Sequence, residues 1–539
     1  MISRVPGGLL NSPRKTFALL AALLVPFCLL YFTRTQTVVY GYDPLGYLYA
    51  GQRLAEGGRM SFPDANNALA GSYFAPFAFN ILRPGDTDLY LNYPPGLPLL
   101  LALAQRTLGS AIAPFFVTPL AGLAGILAIF SLGKRLFGDV AGLIAAVLLG
   151  MSPLYFTFST DLWSDVPATA CILVAMALYV SSTASGGRHV GLRAASAGLL
   201  LGYAVLIRYT SVIFVLPIVF HGLMVPAVWG IKVRCNLSFL GAFALATIGV
   251  LLFNRAYYGG FLATAYSPQA GWYPWPAFSL AYALGPSPVG GRSLVGASTT
   301  LLQDLPIALL FGVLGLLVMK RSSAALLGGT ILVVLGLYSC YAFTPTDISA
   351  RFLLPAVAMI CLAAAAGLEF VRSRLGEWKR PGILLPIAVI GVGCLLFRPA
   401  VAAVERRSID TTAQIRYVQS MTEATPQDAV FMSYVFNDLV SYYGHRSVLN
   451  YRRIPPVDAD RRRYKMEVLE PCLVAVVGRL LDAGRPVYYV EDKAPPFWDS
   501  LAILQRHFVL RQTRDDPKVF LVTSMLGATN QSDLTSCQR

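Results

Sequence analysis

The chain has 539 residues, of which 55% are hydrophobic and only 13% charged, with a mean hydropathy of +0.59 and a formal net charge of +15. A soluble domain carries roughly 25% charged residues, and no soluble core of this length hides so much apolar surface, so lipid is the solvent for most of the chain. The excess Lys and Arg falls in short clusters between apolar runs, which excludes nucleic acid as a partner and fits the positive bias of cytoplasmic loops.

Arg4, Arg14 and Lys15 precede a first apolar run at 16–33. It is longer than a signal-peptide core and no small-residue cleavage site follows, so it reads as an uncleaved span with a cytoplasmic N-terminus. Further apolar runs follow at 111–132, 140–158, 166–182, 194–207, 210–230, 237–253, 305–319, 324–343, 352–370 and 383–397. Alternate connections carry Lys134/Arg135, Arg188/Arg193, Lys232/Arg234, Lys320/Arg321 and Arg372/Arg374/Lys379/Arg380. All of these lie inside if the chain crosses about eleven times, a plasma (inner) membrane protein whose C-terminus is outside. Trp163, Trp272 and Trp275 then mark the outer interface, and Trp229 and Trp378 the inner one.

From about residue 400 the composition becomes that of a soluble domain. Helical patterns at 409–421, 438–443 and 464–483 alternate with strand patterns at 429–434, 447–451 and 487–491, and strands near 508–511 and 519–522 close a small extracytoplasmic α/β domain. The charged segments 457–465 and 511–518 read as loops. The expected architecture is thus an all-α polytopic domain over 1–399, with long outer loops at 34–93 and 254–304, followed by the α/β domain at 400–539. Of the eight cysteines, Cys28, Cys171, Cys340, Cys361 and Cys394 lie in apolar runs and read as small apolar residues. Cys235 is expected in the cytoplasm. Cys472 and Cys537 share the outer domain, where an oxidising compartment permits a disulfide between them. No Cys/His spacing suggests zinc.

The two outer loops are too long to be plain connectors, and they are rich in Tyr, Trp, Gly and Pro. In the first, Asp43-Pro44 opens a helix that Gly57-Gly58 ends, with Leu45, Leu48 and Leu54 on a stripe that would lie along the interface. Two readings stand for Asp43: an N-cap, or an acidic group held just outside the bilayer as a general base. The same pair of readings applies to Asp165, which with Asp161 occupies a short outer turn. Arg208, Arg255 and Arg351 sit at outer helix ends, either anchoring at head-group level or facing an anionic substrate. Tyr40, Tyr42, Tyr47, Tyr49, Tyr266, Trp272, Tyr273 and Trp275 could stack on sugar rings or anchor at the interface.

These pieces, in this order, resemble the GT-C superfamily of integral membrane glycosyltransferases, and within it the branch of protein O-mannosyltransferases and lipid-A aminoarabinose transferases. The matching residues are Tyr42-Asp43-Pro44 with Tyr47 and Ala50, Tyr93-Pro-Pro-Gly-Leu-Pro98, Gly133-Lys-Arg-Leu-Phe-Gly138 and Ser164-Asp-Val-Pro167. They continue with 202–208, 254–258 before Gly259-Gly260, and Arg351-Phe-Leu-Leu-Pro355.

The resemblance implies inverting transfer of a sugar from a polyprenyl-phosphate donor to a lipid, glycan or protein acceptor at the extracytoplasmic face. It gives the base to Asp43, a second acidic role to Asp165, and the lipid phosphate to Arg208 and Arg351, with Arg255, Tyr93 and Tyr47 as further substrate contacts. No cofactor is required, although the superfamily accommodates a divalent metal. Two departures stand out: Pro44 follows Asp43 where many relatives have an acidic residue, and Tyr93 precedes the Pro pair where aminoarabinose-type enzymes have Lys. A transporter or flippase of lipid-linked sugars is the alternative; it calls for mid-membrane charges and repeat-related broken helices, and the sequence shows no internal repeat. The topology is tested by cysteine accessibility. Cysteines at Gly138 and Glu377 should label from the cytoplasm and those at Ser72 and Gly271 from outside; the opposite pattern would reverse the orientation.

Overall fold

The computed structural model describes residues 13–39, 41–82, 86–184, 189–265, 278–286, 293–342, 347–375, 381–450, 466–491, 500–515 and 517–526. It divides into two compact units, Met1–Thr37 with Pro94–Leu252 and Ala277–Arg407, and Val38–Tyr93 with Phe253–Pro276 and Ser408–Arg539. The units therefore do not follow the expected border at 399/400 alone. Most of the first long loop, and the first part of the second, fold with the C-terminal region instead of extending the helical domain.

The first unit is helical, and each expected apolar run carries helix. The runs at 16–33, 111–132, 166–182 and 194–207 become Pro13–Thr33, Val117–Phe137, Asp165–Ala184 and Val190–Ile207, and 237–253 lies in Trp229–Tyr258. The runs at 324–343 and 352–370 become Arg321–Ser339 and Leu354–Leu375, while 383–397 opens the 43-residue helix Pro381–Glu423. Other runs are broken. Asp139–Gly150 and Pro153–Ser159 meet at 66°, and Leu294–Asp304 and Pro306–Val318 at 103°.

The two breaks are tied together. Ser152 caps the helix that Pro153 opens, the Ser152 hydroxyl donates to Asp304 Oδ2 at 2.8 Å, and Leu154 N–H donates to Asp304 Oδ1 at 2.8 Å. The run 210–230 reduces to a short apolar helix, Tyr209–Met224. Among the described residues six helices are long and apolar enough to cross a bilayer, or eight if each bent pair is one span. The chain is a multi-span membrane protein; these six to eight spans among the described residues do not confirm the expected figure of about eleven.

With no hydrophobic gain between helices in lipid, close packing holds them together. Pro306–Val318 crosses Leu354–Leu375 at Gly315 and Gly367, where an added Cβ would run into the Ala363 and Phe311 carbonyls respectively.

The second unit contains two sheets. Strands β1 (Phe62–Pro63), β2 (Phe79–Asn80) and β3 (Asp88–Leu91) form an antiparallel sheet in the order β1-β3-β2. Strands β4 (Val430–Met432), β5 (Ser447–Leu449), β6 (Val487–Val490), β7 (Phe508–Asp515) and β8 (Lys518–Met525) form a sheet ordered β5-β4-β6-β8-β7. β4 runs parallel to both β5 and β6, whereas β8 is antiparallel to β6 and β7. Helices Asn437–Tyr442, Met466–Asp482 and Ser500–His507 complete an α/β unit; the last was not evident in the sequence.

Two expectations need correcting here. Residues 511–515 and 518 are not loop but the ends of β7 and β8, because an edge strand tolerates charged side chains on its solvated face. The helix Tyr42–Ala55 does not lie with a free apolar stripe, since Leu45, Leu48, Tyr47 and Ala50 are all buried. Ala70, Tyr73 and Phe74 join Val430, Leu449 and Val487 in one core, and Phe74 bridges to Leu449. Cys472 is disulfide-bonded; Cys537 lies outside the described residues, as do segment 457–465 and Tyr40, Tyr266, Trp272, Tyr273, Trp275 and Trp378.

The helix crossing gives a direct test. Gly315→Val is expected to lower the thermal stability of the purified protein by about 1–3 kcal/mol or more, the cost of overpacking. Gly241→Ala, where a Cβ meets nothing within 4 Å, should leave the melting curve unchanged.

Candidate functional site

In the first unit, Asp165 opens the helix Asp165–Ala184, Arg208 sits in extended backbone after Val190–Ile207, and Arg351 opens the 3-10 turn Arg351–Leu353. Three helix ends thus bring these side chains together. Arg208 Nη1 lies 2.5 Å from Asp165 Oδ1 and Arg351 Nε lies 3.1 Å from Asp165 Oδ2. The Asp165 side chain is only 2% exposed, against 20% for Arg208 and 7% for Arg351. Neither the capping reading of Asp165 nor the snorkelling reading of the two arginines survives this geometry: all three point into protein and into one another.

Aromatic rings fix the guanidinium groups. Arg351 lies 4.0 Å from the Trp163 ring centre, and both Arg208 and Arg351 lie 4.8 Å from that of Phe352, contacts worth roughly 0.5–2 kcal/mol each. Trp163 is therefore buried and serves as a platform for Arg351, where the sequence suggested an interface anchor. Asp161 holds that platform: Trp163 Nε1–H donates to Asp161 Oδ2 at 2.9 Å, and Leu162 N–H to Oδ1 at 2.7 Å. Burial pushes the Asp161 carboxyl above the usual carboxylate range, against the pull of these donors and of the Arg407 and Arg351 charges.

Both guanidinium groups thus meet one carboxylate, Asp165, in a place where charge is costly unless it is paired. A narrow cavity lies beside it, lined by Asp165, Thr169, Arg208, Thr210, Ser211 and Tyr338 among others. The buried Thr169 hydroxyl has no hydrogen-bond partner among the described residues. Guanidinium groups and hydroxyls along one cavity are groups able to hold a phosphate.

In the second unit, Gly41 is the N-cap of Tyr42–Ala55, with φ of 103° and no side-chain cap bond. Asp43 stands inside the first turn, half-buried, and is not the cap. Tyr93 Oη donates to Asp43 Oδ1 at 2.6 Å, and the Tyr93 ring packs on Tyr47 at 4.9 Å. Gly46 lets this happen, because a Cβ there would come 2.6 Å from the Ala78 Cβ and 3.3 Å from the Tyr93 ring.

The strand end that carries Tyr93 is itself held: Leu91 N–H donates to Tyr257 Oη at 3.0 Å, and Tyr258 Oη donates to Leu91 O at 2.9 Å and Tyr93 O at 3.3 Å. Asp43, Tyr47 and Tyr93 are thus brought together as expected. Arg255, exposed at the end of Trp229–Tyr258, instead packs its guanidinium 4.8 Å from the Phe261 ring centre. Sequence reasoning missed Asp438, a buried carboxyl in the same unit, since nothing but a lone Asp-Leu step in a polar stretch announced it. The described residues hold no group of three or more His, Cys, Asp or Glu able to hold a metal ion, and no step below is routed through one.

Comparison with known proteins agrees with the resemblance read from the sequence. Residues 92–253 match the family model of dolichyl-phosphate-mannose-protein mannosyltransferases. No curated protein sequence matches. Among solved structures, ArnT from Cupriavidus metallidurans bound to undecaprenyl phosphate is 12% identical with a TM-score of 0.58, covering 95% of this chain and 98% of that one. The archaeal oligosaccharyltransferase AglB from Archaeoglobus fulgidus, in complex with an inhibitory peptide and a dolichol-phosphate, is 13% identical with a TM-score of 0.56, covering 95% and 75%. At such identities the likeness is one of fold: the chain has the GT-C fold of membrane glycosyltransferases.

The buried trio makes a stability prediction. Asp165→Ala removes the anion between two guanidinium groups and should cost about 3–5 kcal/mol, read as a lower melting temperature in detergent. An unchanged melting temperature would mean that the arginines are satisfied without Asp165.

Proposed function

We propose that this chain of GT-C fold is a membrane glycosyltransferase that moves a sugar from a polyprenyl-phosphate donor to an acceptor hydroxyl at the extracytoplasmic face, with inversion at the anomeric carbon. The observation that carries the reading is the buried pair Arg208 and Arg351, which meet at Asp165 beside a cavity lined by the hydroxyls of Thr169, Thr210, Ser211 and Tyr338. The matched mannosyltransferase family model and the undecaprenyl phosphate and dolichol-phosphate named with the two similar structures support it.

The chemistry divides between the two sets of residues. Asp43 accepts the proton of the acceptor hydroxyl, with Tyr93 fixing the carboxylate through its 2.6 Å bond. The acceptor oxygen then bonds to the anomeric carbon while the bond to the phosphate oxygen breaks, and polyprenyl phosphate leaves with that electron pair. Arg208 and Arg351 stabilise the charge growing on the leaving phosphate. Phosphate is already a competent leaving group, so one carboxylate base suffices and the carboxylate pair of glycosidases is not needed. Asp165 positions the two guanidinium groups and takes no proton. The acceptor is a lipid, glycan or protein hydroxyl.

Asp43→Asn keeps an acceptor for the Tyr93 hydroxyl and leaves the Gly41 cap untouched, so the protein should express and melt normally. Losing a positioned base costs about 10²–10⁴-fold in rate. Normal turnover by a folded Asp43→Asn protein would remove Asp43 from this role. On the donor side, Arg351→Ala should weaken donor saturation more than Arg351→Lys, which keeps a cation but loses the planar fork. Donor titrations that coincide for Arg351→Ala and the unaltered protein would exclude the phosphate role.

A further inference from the structure

We propose that Asp161 is a positioning residue of the donor-phosphate site: it holds and polarises the Trp163 ring against which Arg351 lies, and so sets phosphate affinity without touching the phosphate. The proposal rests on the reading of Arg351 as a phosphate ligand and deepens it.

Asp161 and Trp163 stand in the turn between the helices Pro153–Ser159 and Asp165–Ala184. Gln36 N–H donates to Thr160 O at 2.8 Å, and Trp163 N–H donates to Asp161 O at 3.0 Å, so the turn itself is held. Both side chains are buried, Asp161 at 5% exposure and Trp163 at 6%. Phe158 meets the indole edge-on at 5.8 Å, and Asp161 Oδ2 accepts the indole N–H at 2.9 Å. Arg351 is then fixed twice. Asp165 meets its Nε at 3.1 Å, and the centre of the Trp163 ring lies 4.0 Å from its guanidinium carbon.

A carboxylate at 161 is more than the local bonding requires. Its donors are the Leu162 peptide N–H and the indole N–H, with the half-exposed Arg407 Nη1 at 4.0 Å. A neutral oxygen satisfies neutral donors, and burying a carboxylate costs more than burying an amide or a hydroxyl. What only the charge supplies is polarisation. An anion on the indole N–H raises the electron density of the ring, and a cation facing the ring is attracted to that density. Arg407, at the oxygen that also takes the indole N–H, offsets part of the cost of burying the charge. The two carboxylates of the turn thus have separate tasks: Asp165 pairs with the arginines directly, and Asp161 reaches Arg351 through the ring.

The test measures binding of undecaprenyl phosphate, and of undecaprenol as the same chain without the phosphate, to the whole protein in lipid nanodiscs. Asp161→Asn keeps the size of the side chain, but its charge is gone and its NH2 must face one of the two N–H donors. It should weaken undecaprenyl phosphate by about 3–10-fold, within the worth of one cation–π contact, and leave undecaprenol unchanged. Trp163→Phe removes the indole N–H. In that background Asp161→Asn should add nothing, because residues that act through one another are not additive. Equal losses from Asp161→Asn with and without Trp163→Phe would show that Asp161 does not act through the ring, and overturn the proposal. An Asp161→Asn protein that loses undecaprenol as strongly as undecaprenyl phosphate overturns it too, since that is the mark of a general role in the fold. Arg351→Ala separates the proposal from its premise. If it leaves undecaprenyl phosphate affinity unchanged, the phosphate reading fails; if it weakens binding while Asp161→Asn does not, the positioning role alone fails.

Discussion

One carboxylate held between two guanidinium groups is the constraint from which the rest of the first unit follows. Asp165, Arg208 and Arg351 are far apart in the chain and are nearly all buried. Burying such charges costs several kcal/mol for each ion unless geometry and hydrogen bonds compensate. The compensation is visible as a nested set: Asp161 orients Trp163, Trp163 and Phe352 face Arg351, and Phe352 also faces Arg208. Beside this set lies a cavity lined by hydroxyls, of which that of Thr169 has no hydrogen-bond partner among the described residues. On the proposed reading, the phosphate of a lipid-linked donor is the anion that binds there.

The second unit holds a single carboxylate in place, that of Asp43, which the proposed reading makes the base. Asp43 is on a short helix whose first turn would be mobile alone, and the unit fixes it from several directions. Tyr93 bonds it, Tyr257 and Tyr258 fix the strand end that carries Tyr93, and Gly46 permits the close approach. The Asp43 and Asp165 side chains are thus held by separate sets of contacts, each within its own compact unit. Mutations in one network are expected to act on one substrate's behaviour and not the other's.

Much of this was legible in the sequence, for reasons that differ by region. Apolar runs and basic clusters report the solvent directly, so every run expected to be membrane helix is helical. The breaks at Ser152-Pro153 and at Asp304-Leu305-Pro306 escaped notice because hydropathy averages over a single polar or proline step, and the two breaks are joined by contacts between Asp304, Ser152 and Leu154 that no local pattern encodes. Asp43, Asp165, Arg208 and Arg351 were singled out as ionisable residues near the outer surface, Tyr47 as one of an aromatic set, and Tyr93 through the family resemblance. Trp163 was recognised and misplaced, since an aromatic at a helix end looks the same whether it meets lipid or a guanidinium group. Asp438 was not found at all. Its burial is a tertiary fact, and in sequence it is one acidic residue in a segment that reads as soluble. The grouping of the first outer loop with the C-terminal sheet was hidden for the same reason: Phe74 pairs with Leu449 across a gap of several hundred residues.

A single displacement with one carboxylate base and a phosphate leaving group has a stereochemical signature that no structural role can imitate. The purified protein can be given a polyprenyl-phosphate sugar of known anomeric configuration and an acceptor alcohol, and the glycoside read by NMR from its anomeric proton coupling. The account predicts a product whose anomeric configuration is inverted relative to the donor, formed together with free polyprenyl phosphate. A product that retains the donor's configuration would contradict it.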